Sequence, residues 1–200
     1  MNYEIVGFGK VGQALAHAFA RKDIDVIVAS RRPPEVLAPQ ARVIGPKVVA
    51  KSLRNALEAD TIILAVPFAE HREVAKALPS WKGKTVIDAT NTFGVLPEEL
   101  DGLPSSAFVA KAFTGAKLVK GFNHLIAATL ADDPIVEGGH RVVFLSSDDE
   151  DATAPVATLA KQLGFAPINL GKLNEGGALV HARGRTWGQL IFQDLLKKEP

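Results

Sequence analysis

The sequence predicts an α/β domain built on a doubly wound, mostly parallel sheet of about eight strands. Short apolar runs alternate with segments of helical period, the pattern of repeated βαβ units. Several runs are continuously apolar, as in Val26-Ile27-Val28-Ala29 and Thr61-Ile62-Ile63-Leu64-Ala65-Val66. Strands covered by helices on both faces read this way, whereas a half-solvated antiparallel sheet would alternate. The 200 residues suit one domain, 1–200, which can bury roughly 70% of the unfolded chain's surface without staples.

Taken in order, strands are expected at about 3–6, 25–29, 42–44, 61–66, 85–89, 117–122, 141–146 and 166–170. After the first strand, Val11, Ala14, Leu15, Ala18 and Phe19 recur at three- and four-residue spacing and predict a helix with one apolar stripe. Leu53, Ala56 and Leu57 repeat the spacing briefly, as do Val74, Ala75 and Leu78. Asp151 to Leu163 repeats it again, with acidic residues placed at the positive end of the helix dipole. From Glu175 to Lys198, Leu179, Val180, Trp187, Leu190, Ile191 and Leu195 predict a final helical segment. Gly184 and Gly188 weaken it at about 1 kcal/mol each, or instead permit close packing against another element or subunit. Pro33–Pro39 and Asn91–Pro104 read as irregular, and neither is long enough for an interdomain linker.

Composition narrows the function classes. Apolar residues make up 47% and charged residues 22%, which excludes a disordered chain. Lys and Arg number 23 against 22 Asp and Glu, a balance that argues against a nucleic-acid footprint or a polybasic membrane patch. The absence of cysteine removes disulfides, thiolate metal sites and cysteine nucleophiles. With a strand beginning at Tyr3 and no apolar run near the roughly 18 residues of a spanning helix, a cytoplasmic protein without signal peptide is expected.

The strongest local signal is Gly7-Phe8-Gly9-Lys10-Val11-Gly12, because it closes the first strand and opens the first helix. In that context Gly7 allows the tight turn, Gly9 clears a path for a pyrophosphate, and Gly12 lets the helix pack closely on the strand. The helix N-terminus then offers free N–H groups to the anion, so the domain is expected to be a Rossmann-type dinucleotide binder. The second strand discriminates the cofactor. An acid at its end would bind the ribose 2′-hydroxyl of NAD, but here Ser30-Arg31-Arg32 follows. A hydroxyl and two guanidinium groups suit a 2′-phosphate, at about 1.5–3 kcal/mol per charge-assisted bond, so NADP(H) is the expected cofactor. Gly12, where some NADP enzymes carry Ala, pulls mildly the other way.

Other chemistries find little support. Asp88 sits late in an apolar strand, either as a catalytic acid or as an acceptor of local hydrogen bonds. The five histidines are dispersed, with no metal-ligand spacing. No GxSxG elbow is present, and Tyr3 is the only tyrosine, so a Tyr-x-x-x-Lys proton-transfer pair is missing.

Gly7–Gly12, Ser30-Arg31-Arg32, Ala65-Val66-Pro67-Phe68 and Val119-Lys120-Gly121-Phe122-Asn123 together resemble the NADP-dependent oxidoreductases that use the deazaflavin coenzyme F-420. The run Val143-Phe144-Leu145-Ser146-Ser147-Asp148-Asp149 and the Gly-rich Leu173–Gly177 fit too. The chain is also similar to the cytosolic domain of transmembrane metalloreductases, which pass electrons from NADPH to flavin. The resemblance implies phosphate binding by the first loop and Ser30–Arg32, and a cofactor lying along Ala65, Val66 and Pro67. It also implies Thr90 and Asn91 near the nicotinamide, with Asn123 and His124 on the acceptor face. Deazaflavin-specific members resemble a Leu-His-Thr-Ile-Pro run where this chain has Phe122-Asn123-His124-Leu125-Ile126, which leaves the acceptor open between coenzyme F-420 and FMN.

Hydride transfer between two stacked rings needs placement and exclusion of water more than a protein acid or nucleophile. No catalytic acid or base is therefore assigned. Two other readings stand beside this one: an NADP-dependent dehydrogenase of a small imine or carbonyl substrate, and a non-catalytic NADP(H) sensor. A small-molecule acceptor and a homodimer through the 175–198 segment are the expected partners, with neither nucleic acid nor membrane.

Overall fold

The computed structural model describes residues 2–183 and 186–198. The first half begins with β1 (Tyr3–Val6), α1 (Lys10–Arg21), β2 (Val26–Ala29), α2 (Pro34–Ile44) and β3 (Val48–Ala50). It continues through α3 (Leu53–Ala56), β4 (Thr61–Leu64), α4 (His71–Ala75), β5 (Thr85–Asp88), α5 (Ser105–Ala112) and β6 (Lys117–Gly121). The remainder comprises α6 (Ala127–Ala131), β7 (Ile135–Val136), β8 (Gly139–Ser146), α7 (Thr153–Gln162) and β9 (Ala166–Asn169). A hairpin of β10 (Ala182–Arg183) and β11 (Thr186–Trp187) precedes β12 (Leu196–Lys198).

Six strands run parallel in the order β3-β2-β1-β4-β5-β6, so the strand order reverses between β1 and β4. Beyond β6 the sheet turns over: β8 lies antiparallel to β6, and β9 pairs parallel with β8. Strands β7 and β12 add short antiparallel pairings to β8. The fold is the single α/β, Rossmann-like domain that the alternating apolar runs predict.

Successive strand residues feed opposite layers. Ile5, Ile63, Ile87 and Val119 join Leu15 and Phe19 of α1, Leu37 of α2, Leu130 of α6 and Leu159 of α7 in one core. Ile62, Leu64, Val86 and Leu118 join Val74 of α4, Trp81, Val109 of α5 and Phe113 just past it in the other. Each fully buried Leu, Ile or Phe contributes about 1.5–3 kcal/mol, so both layers hold the strand ends in register. That leaves the carboxyl ends of β1, β2 and β4 converging on one rim.

Two expected elements differ. Residues 42–44 close α2 instead of forming a strand, and the third strand is β3. Pro34 begins α2, where its missing N–H costs nothing, and the helix buries Leu37 and Ala41 one turn apart despite Pro39. Val43 is left 78% exposed, so its β-branched character reports no burial. The helix expected over 175–198 is instead a 3-10 turn at Gly176–Val180, then β10, β11 and β12. A Cβ on Gly188 would sit 2.3 Å from the Leu179 carbonyl oxygen, so this stretch folds back on itself, the close-packing alternative that its glycines left open. Gly184 lies outside the described residues. Helices α5 and α6 arise where no helix is expected, and so does α2, which replaces most of the Pro33–Pro39 stretch read as irregular. Among the described residues, no helix is long and apolar enough to cross a membrane.

Candidate functional site

The site is organised by the close approach of two loops where the strand order reverses. Gly7 follows β1 with φ +102°, and its N–H donates to the Ala29 carbonyl at 2.8 Å. A Cβ there would meet the Ala65 carbonyl oxygen at 2.3 Å, so the turn after β1 is pressed against the turn after β4. Gly12 is as restricted: its Cβ would fall 1.8 Å from the Gly7 carbonyl oxygen, because α1 starts hard against the strand it leaves. Gly9 differs, since no atom lies within 4 Å of the position its Cβ would take. It is the N-cap of α1 with no side-chain cap, so the first-turn N–H groups of Lys10, Val11 and Gly12 are left without a capping side chain.

This opening is the end of a groove of about 490 Å³. Val6, Gly7, Phe8 and Gly9 line it from β1, Ser30, Arg31 and Arg32 from β2, and Ala65, Val66 and Pro67 from β4. Leu53, Glu70, Glu73 and Val74 complete the wall. Ser30 Oγ accepts the Arg32 N–H at 3.0 Å, which closes the turn and leaves the hydroxyl proton free to donate. The Arg31 guanidinium donates through Nη2 to Glu70 Oε1 at 2.7 Å. The Arg32 guanidinium is exposed and has no ion-pair partner among the described residues. Nine of the expected cofactor residues therefore meet in one groove. Lys10, Val11 and Gly12 sit at the helix start behind it.

Thr90 and Asn91 do not line the groove; they stand one strand further, in a buried polar network. The Thr90 N–H and Oγ–H both donate to Asp88 Oδ1, at 2.9 and 2.7 Å. Lys120 Nζ donates to Asp88 Oδ2 at 3.0 Å and to the Thr90 carbonyl. Both side chains of this ion pair are buried, and burial pushes the Lys120 ammonium below its ordinary range while Asp88 opposes that shift. Asp88 is therefore an acceptor that shapes the loop after β5, the second of the two roles the sequence leaves open. Lys120 as its partner is not foreseeable from the sequence, because nothing local pairs residues 32 apart.

The same loop is tied to β6 by two asparagines. Asn91 Nδ2 donates to the Asn123 carbonyl at 2.8 Å, and Asn123 Nδ2 donates to Asn91 Oδ1 at 3.2 Å and to the Val180 carbonyl at 2.7 Å. Thr92 Oγ–H donates to the Ala182 carbonyl, and the Phe192 N–H donates to the His124 carbonyl at 2.7 Å. Val180 and Phe192 of the C-terminal stretch thus bond to Asn123 and His124, which are both buried. His124 packs edge-on against Phe144 at 4.8 Å, and burial pulls its pKa down to about 4 against the opposing pull of the Val142 backbone and Asp194.

What faces solvent there is aromatic. Phe93, Trp187 and Phe192 are 56%, 50% and 41% exposed and touch one another, with ring centroids 5.7 Å (Phe93–Trp187), 5.2 Å (Trp187–Phe192) and 6.4 Å (Phe93–Phe192) apart. A cluster of three large exposed rings is unusual on a monomer surface, where apolar residues normally scatter singly. Sequence reasoning misses it because Phe93 and Phe192 meet only after the C-terminal chain has folded back.

A crossover of this topology, with a glycine-framed helix start and a cationic rim, defines a Rossmann-like dinucleotide-binding domain. Residues 2–92 match the family model described as NADP oxidoreductase coenzyme F420-dependent, the family that the motifs of this sequence resemble. Over 99% of its length the chain is similar to the hypothetical protein SMa0349 from Sinorhizobium meliloti, with 38% identity, 96% of that chain covered and a TM-score of 0.90. It is similar to a candidate F420-dependent NADP-reductase from Arthrobacter sp. FB24, with 27% identity, 86% of each chain covered and a TM-score of 0.70. Human metalloreductase STEAP2 is 30% identical over 85% of this chain. The chain spans about a third of the length of the curated relatives it matches, 33% in each case.

Proposed function

We propose that the chain binds NADP(H) along the groove and exchanges a hydride between its nicotinamide and a planar deazaflavin or flavin acceptor, which docks on the face of Phe93, Trp187 and Phe192. The observation that carries this reading is the donor set of the groove. An open space over Gly9 at an uncapped helix N-terminus accepts a pyrophosphate, and a Ser-Arg-Arg rim with no acid at the end of β2 itself accepts a further phosphate. When bound, NADPH supplies a hydride at the nicotinamide ring. The protein's residues place and enclose the partners. Gly7 and Ala65 hold the two loops together, and Val66 and Pro67 give the groove an apolar wall.

The Asp88–Lys120–Thr90 network and the Asn91–Asn123 pair keep the loop after β5 rigid next to the groove. No residue needs to act as nucleophile, and the His124 carbonyl holds the Phe192 backbone in place. The acceptor face is the exposed ring cluster in place of Asn123 and His124, because those two are buried. Three rings presenting apolar area with few rotatable bonds suit a flat heterocycle. A homodimer formed through the 175–198 segment would use the same rings, so acceptor and partner subunit compete for them.

The test follows NADPH oxidation anaerobically with coenzyme F-420 and FMN offered separately and NADH as control. Fast reduction of one acceptor with NADPH preferred supports the reading and names the acceptor. Tight NADPH binding without reduction of either would replace it with a sensor or with a small imine or carbonyl substrate.

A further inference from the structure

We propose that Glu70 is a specificity-determining residue of the groove, a resident counterion that competes with the ligand's 2′-phosphate for Arg31. This rests on reading the groove as an NADP(H) site and concerns how strongly that site prefers the phosphorylated ribose.

Glu70 ends the 3-10 turn Phe68–Glu70, which begins directly after Pro67, so the turn after β4 delivers a carboxylate to the rim built by β2. Its side chain is 29% exposed against 71% for Arg31, so the anion is the more enclosed partner and the arginine is drawn onto it. The contact is single: Nη2 meets Oε1 at 2.7 Å, and the other guanidinium nitrogens make no contact with Glu70. A paired fork would fix the guanidinium plane and make Glu70 a positioning group, whereas one end-on bond leaves the arginine free to swing. Both residues line the groove, with Glu73 beside them.

A phosphomonoester carries about −1.5 to −2 charges near neutral pH. Arriving at Arg31, it meets a carboxylate already holding the same nitrogen and must displace it. Arg32 and the free Ser30 hydroxyl proton oppose nothing and receive the phosphate without competition. A ligand with an unphosphorylated ribose gains no such interaction. It even finds in Glu70 an acceptor for its 2′-hydroxyl, the service an acid at the end of β2 would provide. One carboxylate supplied by the wrong strand therefore lowers the preference for the phosphorylated ligand from both sides.

Calorimetric titration of the full chain with adenosine 2′,5′-bisphosphate, adenosine 5′-monophosphate, NADPH and NADH tests this without relying on turnover. Glu70→Gln keeps the size and one acceptor oxygen but removes the charge. It is expected to tighten the bisphosphate and NADPH about three- to tenfold, with the monophosphate and NADH unchanged or weaker. The gain should shrink as salt rises from about 0.05 to 0.5 M, because the pair is partly exposed, and should vanish in an Arg31→Ala background. Glu70→Asp, with the charge kept, should behave as wild type. Weaker NADPH binding in Glu70→Gln, or no change in any ligand, overturns the proposal and leaves the NADP(H) reading standing. A wild type that fails to distinguish the bisphosphate from the monophosphate overturns both.

Discussion

The buried Asp88–Lys120 pair gives a sharp test of how the loop beside the groove is held. Lys120→Met keeps the length of the side chain and removes its charge. At 3.0 Å the two charges attract by about 5–6 kcal/mol for an effective dielectric near 20. Much of that offsets the desolvation of both ions, so the pair adds little net stability over an apolar pair of the same volume. Breaking it from one side is different. Asp88 would remain 0% exposed, with its two bonds from Thr90 and no counterion, at an expected cost of about 3–5 kcal/mol. That is a large part of the roughly 5–15 kcal/mol that holds a domain. Asp88→Asn should cost less, because an unpaired lysine already pushed down by burial can shed its proton. The double variant Asp88→Asn/Lys120→Met should recover stability relative to Lys120→Met alone, with a coupling of about 2 kcal/mol or more. Urea unfolding of the four proteins measures the cycle. A Lys120→Met loss below about 1 kcal/mol, or strictly additive variants, would refute the account.

Glu4, buried in β1 with neither carboxyl oxygen hydrogen-bonded, has its pKa raised by burial to about 8 despite the opposing pull of Lys84 and Lys51. The unfolded chain releases this proton near 4.5 and the folded one near 8, so the folded state binds more protons between those values and loses stability as pH rises. Glu4→Gln should therefore add little below about pH 4.5 and progressively more, up to a few kcal/mol, by pH 8 in thermal melts across that range. Gly9→Val should leave the melting temperature nearly unchanged yet abolish binding of NADPH and NADH alike, since its Cβ enters only open space. Gly12→Ala should instead destabilise the fold, as its Cβ would overlap the Gly7 carbonyl, and calorimetry of both variants separates the two outcomes. Trp187→Ala should raise the KM for the acceptor about tenfold in steady-state assays while the Kd for NADPH stays put.

The parts of the molecule legible in sequence are those whose chemistry is local. The groove's cradle reads directly, because Gly7, Gly9 and Gly12 act within six residues and Ser30–Arg32 ends a strand that its apolar run already marks. The rest depends on separation along the chain. Glu70 reaches Arg31 from another strand, Lys120 reaches Asp88 across 32 residues, and Phe192 meets Phe93 only through the fold-back. The third strand is misplaced because Val43 and Ile44 look strand-like, whereas the need to bury Leu37 and Ala41 extends the helix through them. The apolar count over 175–198 suggests a helix, but Gly176 and Gly188 mark backbone contacts that a helix cannot make.

The Gly7–Ala65 contact has a kinetic meaning. Because the two turns that flank the groove touch through backbone atoms, neither can shift without the other, and the cradle exists before any ligand arrives. Binding then requires no loop to be ordered first, so its entropic cost falls mainly on the ligand. Association observed by stopped flow should rise linearly with NADPH concentration without reaching a plateau, since a plateau would signal a slow opening step that this locked crossover does not permit.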